Sequence, residues 1–197
     1  MRSESSRSGA TPPGDLVPGF RPESELERRL IADPELRAGL AWGKPRSGHP
    51  EGSVGAHVAD LLRTIDRWGE TGQRRAELRF LALIHDSMKY RVRDWLPKTG
   101  DNHHAKRARR LAERYTTDER LLATIEHHDR PYALWRRPRR GGRMNERRLD
   151  RMLDAIPDID LFIRFVELDG STEGKKAGPI EWLKEEVRQR GRGRGES

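Results

Sequence analysis

Six of the seven histidines in this chain fall where helices could bring them together: His57, His85, the pair His103-His104 and the pair His127-His128. Asp86 follows His85 directly, Asp129 follows His128, and a late Asp169 closes the series. Imidazole and carboxylate are the donors of reactive Mn, Fe, Co, Ni and Zn centres. The chain has no cysteine, so disulfides, iron–sulfur clusters and thiolate zinc sites are excluded. Any divalent ion must therefore be held by nitrogen and oxygen. The seventh, His49, sits in a Gly- and Pro-containing stretch over 43–52 that reads as a loop.

Helical register says which way these residues point. His57 lies three residues after Val54 and four before Leu61, on the apolar stripe of a helix expected over 53–68. His85 lies four after Leu81 and three before Met88, on the stripe of a helix expected over 75–89. His128 lies three after Ile125 and seven after Leu121 at the end of a helix expected over 118–128, with Asp118 as its N-cap. Asp169 lies three after Val166, at the end of a segment, 158–169, that is apolar on more than one side and so must be buried. Four polar groups on four helices thus face one core. Each would be costly there unpaired, and a shared metal ion removes that cost.

The remaining elements complete an all-α fold, a single-domain helical bundle with flexible ends. Residues 25–31 form a short amphipathic helix, and Asp33-Pro34 caps and starts another through Leu36, Leu40 and Trp42. Residues 103–115 carry Ala105, Ala108, Leu111, Ala112 and Tyr115 at helical spacing. Pro131 to Arg143 reads as an arginine-dense loop, 145–155 as a helix stopped by Pro157, and Pro179 opens a last helix through Trp182, Leu183 and Val187. No strand pattern or internal repeat is visible. Met1 to Pro22 is expected to be a tail, 23–189 the domain, and 190–197, ending RGRGRGES, an Arg/Gly-rich tail.

Composition narrows the partners. Charged residues make up 37% and apolar residues 33%, with a formal net charge of +8. An excess of arginine favours anions: phosphate esters, nucleotides or, through the loop and the tail, nonspecific nucleic-acid contact. Aromatic residues are too scattered for a base-stacking platform. No apolar run reaches membrane-spanning length and Met1 to Phe20 lacks a signal-peptide core, so a cytoplasmic protein with no membrane contact is expected.

A His-Asp dipeptide means little alone. Seven His and fourteen Asp in 197 residues give roughly 0.5 such pairs by chance, and two occur. The ordered set carries the signal: His57 in GAHVADLL, His85-Asp86 in LALIHDSMK, His104 in HHAKRARRLAERY, His127-His128 in IEHHD and Asp169 in FVELDGS. This set, over roughly residues 50–175, resembles the HD-domain superfamily of metal-dependent phosphohydrolases. LALIHDSMK is similar to that family's apolar-run–His-Asp-x-x-Lys signature, with Lys89 in the lysine place and Met88 where a glycine is usual.

The resemblance implies a first metal site of His57, His85, Asp86 and Asp169. It implies a second site, as in the bimetallic branch, from His104 and either His127 or His128, with Asp86 bridging. His103 competes with His104 from one residue out of phase. One or two ions per chain are expected. Lys89 is expected to reach a substrate phosphate, and Asp129 or Glu126 to orient an imidazole or shuttle a proton. Arg130, Arg136, Arg137, Arg139, Arg140 and Arg143 could gate an anionic substrate, as could Lys175 and Lys176. The Gly-Tyr-Pro signature of cyclic-di-nucleotide phosphodiesterases is missing. Lys89 stands where some nucleotidases of the superfamily carry a Glu, so neither of those activities is implied. The expected reaction is hydrolysis of a phosphate ester, of a nucleotide or related small molecule, by metal-activated water. A di-iron oxygenase and a non-catalytic nucleic-acid-binding module are the alternatives.

Overall fold

The computed structural model describes residues 16–44, 52–136, 146–172, 175 and 177–194, and these residues are helical with no strand. The helices are α1 (Glu25–Ala32), α2 (Pro34–Ala41), α3 (Val54–Arg67), α4 (Gly72–Ile84), α5 (His104–Ala112), α6 (Glu119–His127), α7 (Arg130–Arg136), α8 (Glu146–Asp154), α9 (Ile159–Gly170) and α10 (Gly178–Arg194). Short 3₁₀ turns lie at Lys89–Arg91 and Gly100–Asn102 between α4 and α5.

Local chemistry starts the helices where the sequence signals it. Asp33 accepts from the Glu35 and Leu36 amides, with Pro34 in the first turn of α2. Ser53 caps α3, Asp118 caps α6, and Asp158 caps α9. Apolar stripes then drive assembly. The main core joins Leu36 and Leu40 (α2), Val58, Leu61 and Ile65 (α3), Leu78 and Leu81 (α4), Leu111 (α5), Ile125 (α6) and Phe165 (α9). A second cluster joins Leu149 and Met152 (α8), Phe162 and Val166 (α9) and Leu183 (α10). Helix α9 faces both, which is why its sequence is apolar on more than one side.

Four expected boundaries move. Helix α4 ends at Ile84 instead of continuing to 89, so His85-Asp86 lies in a turn at a helix end. Residues 131–136, expected within a loop, belong to α7. Order also begins before residue 23: Val17 and Phe20 are buried in the main core, with the Arg79 guanidinium 5.6 Å from the Phe20 ring centroid. Arg79 is itself buried and pairs with buried Glu27 through two bonds of 2.7 and 2.9 Å, and it donates to the Arg21 carbonyl at 3.0 Å. That buried pair ties α1 and the preceding segment to α4. At the other end α10 runs to Arg194, past the expected boundary at 189.

A glycine sets how closely α2 approaches the turn after α4. A Cβ added at Gly39 in α2 would stand 1.8 Å from the Ser87 carbonyl oxygen. Helix α2 therefore rests its backbone directly on the turn that carries His85 and Asp86.

Candidate metal centre

The expected donors converge from the ends of helices. His57 is the fourth residue of α3, His85 caps the C-terminus of α4, and His128 caps that of α6. His104 opens α5, with His103 as its N-cap, and Asp169 lies in the last turn of α9. A helix end suits this task, because its backbone is fixed while its last carbonyls need partners. His85 Nδ1 donates to the Ala82 carbonyl at 3.1 Å, and His128 Nδ1 to the Ile125 carbonyl at 2.8 Å. A carbonyl only accepts, so Nδ1 carries the hydrogen in both rings. In the neutral tautomer each Nε2 then presents its lone pair to the centre.

Two donor sets meet at Asp86. Its Oδ2 lies 3.4 Å from His85 Nε2, while Asp169 Oδ1 lies 3.5 Å from His85 Nε2 and 2.9 Å from His57 Nε2. Its Oδ1 lies 3.4 Å from His104 Nε2 and 3.5 Å from His128 Nε2. The donors of His57, His85 and Asp86 lie within 4.8 Å of one another, as do those of Asp86, His104 and His128. The Phe165 ring closes one side, edge-on to His85 at 5.3 Å between centroids.

These contacts fit a metal better than they fit hydrogen bonds. His85 Nε2 and Asp86 Oδ1 are buried and neither makes a hydrogen bond. Lone pairs facing each other at 3.4–3.5 Å repel unless a positive charge lies between them, either a proton on the imidazole or a metal ion that displaces it. With metal–ligand bonds of about 2.1 Å, adjacent donors stand roughly 3.0–3.4 Å apart. Electrostatics agree. Burial alone would keep His85 neutral, but Asp86 and Asp169 override it and raise its pKa to about 9. Burial also opposes charge on Asp86 and Asp169, yet Lys89, Lys175 and the surrounding imidazoles hold both well below the usual carboxylate range. Burial keeps His57 and His104 below the ordinary histidine value. The pocket holds two carboxylates ionised and asks for positive charge between them.

The other predicted residues divide. The Lys89 ammonium bonds Asp86 Oδ2 from a 3₁₀ turn, not from the helix face expected of it. Asp129 bonds His103 Nε2 at 3.3 Å and lies 3.9 Å from His104 Nε2, and the His103 and His104 rings stack 5.0 Å apart. His103, Asp129 and His104 thus form a third close group, although helical phase disfavours His103. His127 joins none of these groups among the described residues. It is buried, and burial with Arg130 nearby lowers its pKa to about 4. Glu126 pairs with Arg109 at 3.3 Å, away from the centre. Arg130 and Arg136 belong to α7, whereas Arg137, Arg139, Arg140, Arg143, Lys176 and His49 lie outside the described residues. Lys175 Nζ donates to both Oδ1 and the backbone carbonyl of Asp169, at 2.6 and 2.7 Å. No spacing rule reveals that contact, because it depends on how the chain turns after α9.

No curated protein and no solved structure matches the chain. The family model for the HD domain matches residues 54–160. That span holds His57, His85-Asp86, His104 and His128, and stops nine residues short of Asp169. The match covers just over half of the 197 residues and includes the helices that position His57, His85-Asp86, His104 and His128, so the chain belongs to the HD-domain family.

Proposed function

We propose that this chain is a metal-dependent phosphohydrolase, acting on a nucleotide or a related phosphorylated small molecule. The observation that carries the reading is Asp86, a buried carboxylate whose two oxygens face separate imidazole sets, His85 on one side and His104 with His128 on the other. That donor set suits one or two ions of Mn, Fe, Co, Ni or Zn. A divalent ion bound there would lower the pKa of its water toward about 7 and neutralise phosphoryl charge.

The protein's own groups do the rest. His57, His85 and Asp169 would hold a first ion, and Asp86 would supply carboxylate charge to both donor sets. Lys89, on Asp86 Oδ2, supplies a cation beside the reacting phosphoryl group. Burial opposes charge on Asp129, but its bond to His103 and the imidazoles around it hold its pKa at about 2. It stays ionised at neutral pH and serves to orient His103, not to donate a proton. Arg130 and Arg136 add positive charge on α7, which begins two residues after His128. Among the described residues no helix is long and apolar enough to cross a membrane.

The test begins with metal content of full-length protein purified without chelator, where one or two ions per chain are expected. Mn²⁺- or Co²⁺-replete protein should release phosphate from at least one member of a nucleotide and sugar-phosphate panel. His85→Ala and Asp86→Ala should each abolish that release. Replete protein that releases none would sink the reading. Two irons with substrate-dependent O₂ uptake would replace it by oxygenase chemistry.

A further inference from the structure

Each of the two central carboxylates carries its own lysine. Lys89 sits on Asp86 Oδ2, and Lys175 sits on Asp169 Oδ1. Asp169 Oδ1 is the more crowded oxygen, with His57 Nε2 at 2.9 Å, His85 Nε2 at 3.5 Å and Lys175 Nζ at 2.6 Å. The ammonium is anchored twice, since it also donates to the Asp169 carbonyl at 2.7 Å. Its chain segment is held as well. The Ser171 hydroxyl donates to the Leu168 carbonyl at 2.7 Å, and the Lys175 amide to the Thr172 carbonyl at 3.3 Å. The Lys175 side chain is 22% exposed, so it is not sealed inside.

A cation bound at Asp169 Oδ1 shares that oxygen with the ammonium, and like charges on one oxygen repel. An anion lying between the two relieves the repulsion, and a tetrahedral phosphoryl group offers oxygens to both at once. From this geometry we infer that Lys175 is the phosphate-binding residue of the first metal position. It competes with the metal when the site is empty of anion and clamps the phosphoryl oxygen when substrate is bound. The inference rests on the phosphohydrolase reading and assigns the residue that recognises its substrate's phosphoryl group.

The consequence is a pair of effects of opposite sign. In full-length protein stripped with chelator and titrated with Co²⁺, Lys175→Met should bind the first ion at least threefold more tightly than wild type. Calorimetric titration of the Co²⁺-loaded protein with orthophosphate should show about tenfold weaker binding by Lys175→Met. Lys175→Arg should recover most of the phosphate affinity, because a guanidinium keeps the charge. If Lys175 only braces Asp169, Lys175→Met will instead weaken Co²⁺ binding. That result, or an unchanged phosphate affinity, overturns the assignment. The two readings fail separately. Wild type that binds orthophosphate but hydrolyses nothing rejects the enzyme activity, and an active Lys175→Met with unaltered KM rejects the role of Lys175.

Discussion

The two faces of α9 follow different rules. One face sends Phe165 toward His85 and His128 and ends at Asp169, in a region dense with buried polar groups. The other sends Phe162 and Val166 into an apolar cluster with Leu149, Met152 and Leu183. The apolar face lowers free energy simply by leaving water. The polar face cannot, because its imidazoles and carboxylates lose hydration and recover it only from one another or from a bound ion. Stability therefore belongs mainly to one side of the helix and chemistry to the other, with few residues serving both.

Substitutions can pull these sides apart. On the proposed phosphohydrolase reading, Asp86→Asn should have the largest effect, cutting turnover on the order of a thousandfold or more, because both donor sets lose their shared charge. Its far-UV circular dichroism should stay helical. Phe162→Ala should do the reverse. It should cost about 3–5 kcal/mol of stability by denaturant titration, as large-to-small changes in a packed core do, while metal stoichiometry stays unchanged. If Phe162→Ala emptied the metal site, the separation of the two faces would be wrong. Gly39→Ala should fall between them. The new methyl collides with the Ser87 carbonyl and shifts the His85-Asp86 turn. Metal affinity should fall by roughly tenfold, the scale seen when groups supporting metal ligands are disturbed.

The smallest expected effect concerns pH and His127. Its folded-state pKa, about 4, lies below the ordinary histidine value near 6.5. Between these values the unfolded chain binds a proton that the folded chain refuses. The contribution of His127 to stability is thus fully present above about pH 6.5 and is lost as pH falls toward 4. Urea midpoints for wild type and His127→Asn, both with chelator, should draw together between about pH 7 and about pH 5. A gap that widens would show that His127 is not held neutral.

The donors on strong apolar stripes are legible in the sequence. His57, His85, His128 and Asp169 point inward because the Val, Leu and Ile residues three or four positions away do. What escapes depends on contacts distant in sequence. Nothing in DSMKY marks a stop, yet α4 ends at Ile84, with the Gly39 backbone of α2 packed against the Ser87 carbonyl in the turn beyond it. Val17 and Phe20 read as part of a tail because Pro and Gly surround them, and their burial is tied to the Arg79–Glu27 pair. His103 is out of phase with the apolar stripe, but as an N-cap it sits outside the helical register, and Asp129, from the far end of α6, is what holds it.

The Gly39 contact also bears on where this domain can be cut. The segment that matches the family begins at Val54, and α2 lies wholly before it. A fragment trimmed to residues 54–160 would lack the helix that buttresses the His85-Asp86 turn, as well as Asp169 and most of α9. Such a fragment should be molten or aggregate. The smallest autonomous unit is set by what the His85-Asp86 turn leans on, and its sequence signature is only part of that.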